Sequence, residues 1–240
     1  MANLLIDQGN SSAKVAVMED DELVFLQKYA PLTVREVQLL LEKYSVRQAI
    51  LSSVVELDAA LDQYMQANCD KWLVLSNDTP IPLENLYKTP RTLGRDRIAV
   101  CVGANSLYPN RNALIIDVGT AITYDVVNAK NQYVGGNISL GIEMRRKALH
   151  AFTAKLPLVT VPDVVPTLGT TTDEAIASGI INGIAYEIDG YIDQMKAVYP
   201  ELLVFLTGGS TKCFEKIIKN RIFALPNLVL TGLNRILEYK

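Results

Sequence analysis

Residues 7–14 read Asp-Gln-Gly-Asn-Ser-Ser-Ala-Lys, residues 117–123 read Asp-Val-Gly-Thr-Ala-Ile-Thr, and these two turns decide the fold. Each aspartate ends an apolar run and precedes x-Gly-Asn or x-Gly-Thr, and further apolar runs of strand length follow both turns. This pattern predicts an antiparallel meander of short strands in each half of the chain. Because the same order recurs, we interpret the chain as an internal duplication.

Helices and further strands are predicted after each meander. Thr33 and Glu36 have the spacing of a capping box, and residues 57–65 and 174–198 have apolar side chains at helical spacing. More strand-like apolar runs occupy residues 49–51, 72–75 and 202–206. Strands that alternate with helices in this way predict an α/β fold.

The best boundary between the two halves is the polar stretch 108–112. A chain of 240 residues has room for two compact domains of ordinary size. We therefore expect two duplicated lobes, residues 1–111 and 112–240, with a central cleft in which a ligand binds.

The composition favours a globular protein with a small-molecule partner. Hydrophobic residues make up 49% of the chain, enough for real cores, and the net charge of -3 gives no basic field for nucleic acid or an anionic membrane. The three cysteines form no CxxC pair, and we find no leader and no 18-residue apolar stretch, so we expect a cytoplasmic location. One histidine, His150, cannot supply a multi-histidine metal site and makes a Ser-His-Asp hydrolase unconvincing.

The two turns have the chemistry of a phosphate site. Glycine permits a tight turn, and the small polar residues that follow it can donate hydrogen bonds to phosphate oxygens. A carboxylate repels phosphate, so Asp7 would act through a hydrated divalent cation, while Lys14 would neutralise phosphate charge. In the second turn, the Thr120 and Thr123 hydroxyls replace the first turn's donors. Either turn alone is equally well explained as an ordinary hairpin, but the repetition favours a function. The sequence has no GxxxxGK[ST] or GxGxxG motif, which disfavours P-loop and dinucleotide-binding architectures.

A third motif, Gly94-Arg95-Asp96-Arg97, precedes the apolar run 98–102. This run indicates a buried helix with Asp96 in its first turn, where the helix dipole favours a negative charge. An ionised carboxylate beside an arginine suits a general base that faces a substrate hydroxyl. The alternative is a common helix start with a surface pair of arginines. Similarly, Thr207-Gly208-Gly209 after a buried strand could receive an adenosine or simply turn the chain.

Together these motifs resemble the type III pantothenate kinases of the sugar kinase, Hsp70 and actin superfamily. The family motifs DxGN[T/S]xxK, GxDR and DxGTAxT are similar to residues 7–14, 94–97 and 117–123, in the same order. The resemblance implies two ribonuclease-H-like (actin-like ATPase) lobes. It also implies transfer of the γ-phosphoryl group of ATP to the primary hydroxyl of pantothenate, the first step toward coenzyme A, with Asp96 as the proton acceptor.

The resemblance also implies the remaining site residues and partners. Nucleotide contacts would come from Asp7, Gln8, Gly9, Asn10, Ser11, Ser12, Ala13, Lys14 and Thr120. Pantothenate would be held by Tyr87, Gly94, Arg95, Asp96, Arg97 and Thr172. The family further implies magnesium with ATP, a monovalent cation (potassium or ammonium) at Asp117, and a homodimer in which Thr172 acts in the partner's site. The chain departs from the family at Leu140, where proline is usual, and at Ser11, which keeps the hydroxyl of the commoner threonine.

Two other functions remain open on the same scaffold. One is a non-catalytic regulatory protein, since some relatives are named Bvg accessory factors, and the other is a kinase or phosphatase with a different substrate. Intact Asp7, Asp96, Arg97 and Asp117 favour a kinase, whereas the GxDR motif and Tyr87 favour pantothenate as the acceptor.

Overall fold

A computed structural model describes residues 2–9, 12–162 and 164–239. Asn10 and Ser11, both predicted to contact the nucleotide, therefore lie outside the described residues. The chain divides into two compact units. The first unit comprises the chain up to Pro109, Asn131–Tyr133 and the stretch from Asn227 onward, and the second comprises Asn110–Lys130 and Val134–Pro226.

Strands and helices alternate along the described chain. Up to Leu107 the elements are β1 (Ala2–Gln8), β2 (Ala13–Glu19), β3 (Glu22–Tyr29), α1 (Val34–Tyr44), β4 (Gln48–Ser53), α2 (Ala59–Asn68), β5 (Lys71–Val74), β6 (Glu84–Asn85), a single 3-10 turn (Pro90–Thr92) and α3 (Arg95–Leu107). After it come β7 (Ala113–Val118), β8 (Ala121–Asn128), β9 (Gln132–Leu140), α4 (Ile142–Ala151), α5 (Thr172–Val198), β10 (Leu203–Thr207), α6 (Thr211–Phe214), β11 (Phe223–Ala224) and α7 (Leu228–Glu238). None of the helices in the described ranges is long and apolar enough to cross a membrane.

Each unit contains a sheet of its own, and the two sheets have the same strand order. In the first unit the strand order is β3-β2-β1-β4-β5, in which β2 runs antiparallel to β1 and β4 runs parallel to it. In the second unit the order is β9-β8-β7-β10-β11, again with an antiparallel and a parallel neighbour on the two sides of the first strand. Strands β7 to β11 thus repeat β1 to β5 in order. The duplicated α/β fold predicted from the two turns is confirmed.

Local sequence explains where several helices begin. The Glu36 carboxylate accepts a hydrogen bond from the Thr33 backbone N–H at 3.0 Å, as the capping box predicts. The Asp58 side chain caps α2 by accepting from the N–H groups of Ala60 and Leu61 at 2.7 and 3.2 Å. These contacts satisfy N–H groups that have no partner within the helix.

The C-terminal helix α7, which the sequence did not lead us to predict, packs against α3 in the first unit. The two helices approach closely at glycines: a Cβ atom at Gly232 would lie 1.7 Å from the Ala99 carbonyl oxygen, and one at Gly103 would lie 2.3 Å from that of Leu228. The sequence predicts that residues 1–111 form one lobe and residues 112–240 the other, and this division stays a prediction. The compact units differ from it because this contact assigns α7 to the first unit.

A short strand pairing also lies within the first unit. Strand β6 runs parallel to the beginning of β9, with Glu84 opposite Gln132 and Asn85 opposite Tyr133. This pairing fixes the backbone immediately before Tyr87.

Candidate active site

The first acidic turn lies between β1 and β2, with Asp7 near the end of β1. Lys14 is its register partner on β2, and Ser52 is its partner on the parallel strand β4. Residues directly opposite in an antiparallel pair project from the same face, so the Asp7 and Lys14 side chains share one side of the sheet. The Gly9 N–H donates to the Ser12 carbonyl oxygen at 3.0 Å and closes the turn. This amide is therefore engaged within the turn.

Asp7 is held in an environment that disfavours its charge. Burial raises the pKa of Asp7 from its ordinary value of 3.8 to about 6, partly offset by the positive charge of Lys14. The negative charge of Asp96 raises the pKa further. The geometry agrees, since Arg95 Nη1 donates to the Ser53 carbonyl oxygen at 3.2 Å and the neighbouring Ser52 is the partner of Asp7 on β4. Asp7 and Asp96, from separate motifs, are therefore candidates for one site.

Asp96 occupies the first turn of α3, as predicted, with Gly94 at the N-cap. Its Oδ1 atom accepts a hydrogen bond from the Arg97 backbone N–H at 2.9 Å. A Cβ atom at Gly94 would lie 2.5 Å from this oxygen, so glycine leaves the space that the carboxylate occupies. The positive end of the helix dipole favours a negative side chain at this position.

The two arginines of the third motif have different surroundings. Arg95 donates from Nη1 to the Ser53 carbonyl oxygen at 3.2 Å, at the end of β4. Arg97 is only 5% exposed, and its Nη2 donates to the Tyr133 hydroxyl at 2.9 Å. Its guanidinium also lies over the Tyr87 ring, with Cζ 5.8 Å from the ring centre. A surface pair of arginines does not describe this motif, because Arg97 is buried.

In the second unit, Asp117 lies near the end of β7, the position that Asp7 has in β1. Its partners are Thr123 on β8 and Thr207 on β10. Gly208 follows with φ = +98°, and a Cβ atom there would lie 2.4 Å from Asp117 Oδ1. Only glycine fits this close approach without strain. Thr120 is exposed, and its carbonyl oxygen accepts from the Gly141 N–H at 3.1 Å.

Thr172 is the first residue of α5 in the second unit. It lines a largely apolar cavity of about 760 Å³ that α4 and α5 border. The apolar lining residues are Leu140, Ala148, Leu149, Phe152, Leu156, Ala175, Ile176 and Ile180. Leu140, which stands where the family has proline, is held by a hydrogen bond from Arg145 Nε to its carbonyl oxygen at 2.8 Å.

Sequence reasoning did not single out Tyr133. An aromatic residue in a strand is normally a core residue, and nothing in its neighbourhood along the chain points to the third motif. Its contact with Arg97 depends on pairing between distant segments. The sequence indicated Gly208 only as a turn residue. Its close approach to the Asp117 carboxylate is also a contact between distant segments, so no local pattern predicts it.

Comparison with known proteins identifies the family. A family profile described as type III pantothenate kinase matches residues 3–194. A type III pantothenate kinase from Phocaeicola vulgatus is 45% identical over 237 residues, which cover 99% of this chain and 98% of that protein.

Two solved structures are similar in fold. A candidate Baf-family transcriptional activator from Campylobacter jejuni has a TM-score of 0.60 at 22% identity, covering 97% of this chain and 96% of that one. A glucokinase from an Antarctic psychrotroph has a TM-score of 0.54 at 13% identity, covering 98% of both chains. The architecture is that of the actin-like ATPases and sugar kinases. With its sequence matched nearly end to end at 45% identity, the chain belongs to the type III pantothenate kinase family.

Proposed function

We propose that this protein transfers the γ-phosphoryl group of ATP to the primary hydroxyl of pantothenate, the first step of coenzyme A biosynthesis, in the cytoplasm. The observation that carries the proposal is the meeting of two motifs in the first unit: Arg95 of the GxDR motif donates to the Ser53 carbonyl oxygen at the end of β4, and the neighbouring Ser52 is the register partner of Asp7. A phosphoryl donor and an acceptor hydroxyl need this combination of a metal-binding carboxylate and a nearby base. Membership of the kinase family supports the choice of substrates.

Asp96 is the proposed general base. Since its Oδ1 atom accepts the Arg97 backbone N–H, the Oδ2 atom is the one that we expect to take the proton of the pantothenate hydroxyl. Arg97, the residue after this base, is buried and is proposed to bind pantothenate. Tyr87, Gly94 and Arg95 complete the proposed pantothenate contacts in this unit.

Magnesium fits the first turn as a companion of ATP rather than as a resident ion. Among the described residues no group of three or more His, Cys, Asp and Glu side chains could hold a metal. Magnesium commonly binds one or two carboxylates together with substrate phosphates, and the disfavoured charge of Asp7 would gain a counter-ion there. The ion would neutralise phosphate charge, while Lys14 adds a second positive group beside Asp7.

A monovalent cation is proposed at Asp117. Hard cations prefer oxygen ligands, and Asp117 Oδ1 and the Val118 carbonyl oxygen both lie close to Gly208, at 2.4 and 2.6 Å from the position of a hypothetical Cβ atom, as does the Val118 backbone nitrogen at 2.6 Å. One carboxylate with neighbouring backbone oxygens suits a singly charged ion such as potassium or ammonium.

A homodimer is proposed through the second unit. Large apolar side chains are strongly exposed at this part of the second unit: Phe152, which lines the cavity with Thr172, is 88% exposed, and Leu168, which lines an adjoining pocket, is 80% exposed. Soluble monomers rarely expose such a concentration of apolar surface, and most soluble oligomers are symmetric homo-oligomers. A second copy would cover this face and bring Thr172 to the partner's site.

The test is a coupled ADP-release assay with pantothenate as the variable substrate, run first in sodium and then in potassium buffer. We expect pantothenate-dependent turnover that requires potassium. The Asp96→Asn variant should lose about 100- to 10,000-fold in kcat, the range of a general base, and keep its thermal midpoint. Asp58→Asn is the matched control, since it makes the same chemical change at another helix start and asparagine caps equally well. Near-normal turnover by Asp96→Asn would refute the proposed base. ADP release that does not depend on the pantothenate concentration would refute the proposed acceptor.

A further inference from the structure

Tyr133 is a buried residue, 2% exposed, at the beginning of β9. Its hydroxyl oxygen accepts a hydrogen bond from Arg97 Nη2 at 2.9 Å. Its ring meets the Tyr87 ring edge to face, with ring centres 5.9 Å apart and planes at 61°. Since the Arg97 guanidinium also lies over the Tyr87 ring, the three side chains form one contact group, which we call the Tyr133 cluster.

The backbone of Tyr133 holds the segment that carries Tyr87. The Leu86 N–H donates to the Tyr133 carbonyl oxygen at 3.0 Å, and the Glu84 N–H donates to that of Asn131 at 3.1 Å. One residue later, the Tyr87 N–H donates to the Asn85 side chain at 2.9 Å. Tyr133 therefore fixes one proposed substrate residue through its main chain and another through its side chain.

The kind of group that meets Arg97 matters for its function. A guanidinium has five N–H donors and a long stem with several rotatable bonds, so a buried arginine needs acceptors that select one orientation. A carboxylate would orient Arg97 but would also neutralise its charge. The phenol of Tyr133 is a neutral acceptor, so this contact orients the guanidinium without itself adding a negative charge.

We propose that Tyr133 is a positioning residue for the acceptor substrate: it holds Arg97 and Tyr87 in the geometry that binds the anionic pantothenate, without touching the substrate itself. This inference rests on the proposed function. It assigns to Tyr133 an effect on the acceptor alone, because the first acidic turn, which we propose to bind the nucleotide, is not part of the Tyr133 cluster.

The test is Tyr133→Phe, which removes one oxygen atom and keeps the ring against Tyr87. We expect the KM for pantothenate to rise about tenfold, the lower end for a hydrogen bond to a charged group, with kcat within about twofold and the KM for ATP unchanged. The matched control is Trp72→Phe, which removes another aromatic hydrogen bond to a charged side chain of the same unit, from Nε1 to Asp62 at 2.7 Å. This control should change neither KM.

A double-mutant cycle separates positioning from a general structural role. If Tyr133 acts through Arg97, adding Tyr133→Phe to Arg97→Lys should raise the pantothenate KM by less than about twofold beyond the single lysine variant. Fully additive effects, equal losses for ATP and pantothenate, or wild-type kinetics of Tyr133→Phe would each overturn the inference while the wild-type enzyme remains active. A wild-type protein without pantothenate-dependent turnover would instead refute the proposed function and remove the basis of the inference.

Discussion

The Asp7→Asn substitution should stabilise the protein without ligands at neutral pH, and the gain should disappear in acid. Burial raises the pKa of Asp7 from 3.8 to about 6, so the folded state disfavours the ionised carboxylate relative to the unfolded chain. Above pH 6 the wild-type protein carries this full cost, and below pH 3.8 both states are protonated and the cost is absent. Asparagine has no charge and avoids the cost at every pH.

The expected size follows from the two pKa values. Each factor of ten in the ionisation constant is worth about 1.4 kcal/mol, so the distance from 3.8 to about 6 corresponds to about 3 kcal/mol at pH 8. For a chain of this length that is a rise of roughly 6 to 12 °C in the thermal midpoint. The difference should shrink through pH 5 and fall below about 1 kcal/mol near pH 4.

The assay is thermal unfolding of both proteins from pH 8 to pH 4, without nucleotide or divalent ions. Glu19→Gln, a change at an exposed carboxylate at the end of β2, is the control and should change the free energy of unfolding by no more than about 0.5 kcal/mol, as is usual for a surface substitution. Asp96→Asn removes the like charge, so Asp7→Asn should stabilise that background less. An Asp7→Asn effect that is constant with pH, or destabilising throughout, would refute the reasoning.

The remaining predictions concern close contacts and the apolar face. Gly232→Ala should destabilise the protein by about 3 kcal/mol in thermal unfolding, because its Cβ atom would meet a backbone oxygen at 1.7 Å. Gly190→Ala, whose Cβ atom would have no neighbour within 4 Å, should instead stabilise the protein by about 0.5 to 1 kcal/mol. Gly208→Ala should raise the potassium concentration needed for half-maximal activity, since the new methyl group would crowd the proposed cation ligand; unchanged potassium dependence would contradict that site. Phe152→Glu should sediment as a monomer, and Val198→Glu, at an exposed apolar residue at the far end of α5, should leave the dimer intact.

Local patterns predict the parts of the fold that local interactions determine. The apolar runs that end in Asp7 and Asp117 are the central strands of their sheets, and the polar residues after them form the turns. The long helix begins at Thr172 instead of the predicted Glu174, because the Thr171 hydroxyl caps it by accepting from the Glu174 N–H. Such a shift of two residues reflects the choice between neighbouring caps.

Contacts between distant segments were not predictable in the same way. Strand β6 has only two residues, which is too short for a strand pattern in the sequence. It is defined by its pairing with the start of β9. Arg97 donates a hydrogen bond to Tyr133, which follows it by 36 residues. Helix α7 is amphipathic, but no local feature of its sequence indicates that Gly232 packs on α3. For the proposed site, the motifs in the sequence contain the candidate reactive groups, whereas Tyr133, which contacts one of them, carries no local signal.

The packing of α7 on the first unit determines when that unit can be completed during synthesis. The ribosome synthesises α7 only after the whole second unit. Until then the nascent chain lacks the helix that covers α3, and the Asn3 side chain lacks its hydrogen-bond partner Asn234. Domains usually mature from the N-terminus during translation, but here the unit that begins the chain must finish after the one inserted into it. Premature termination before Asn227 would thus leave an aggregation-prone nascent product, although every proposed catalytic residue had already been translated.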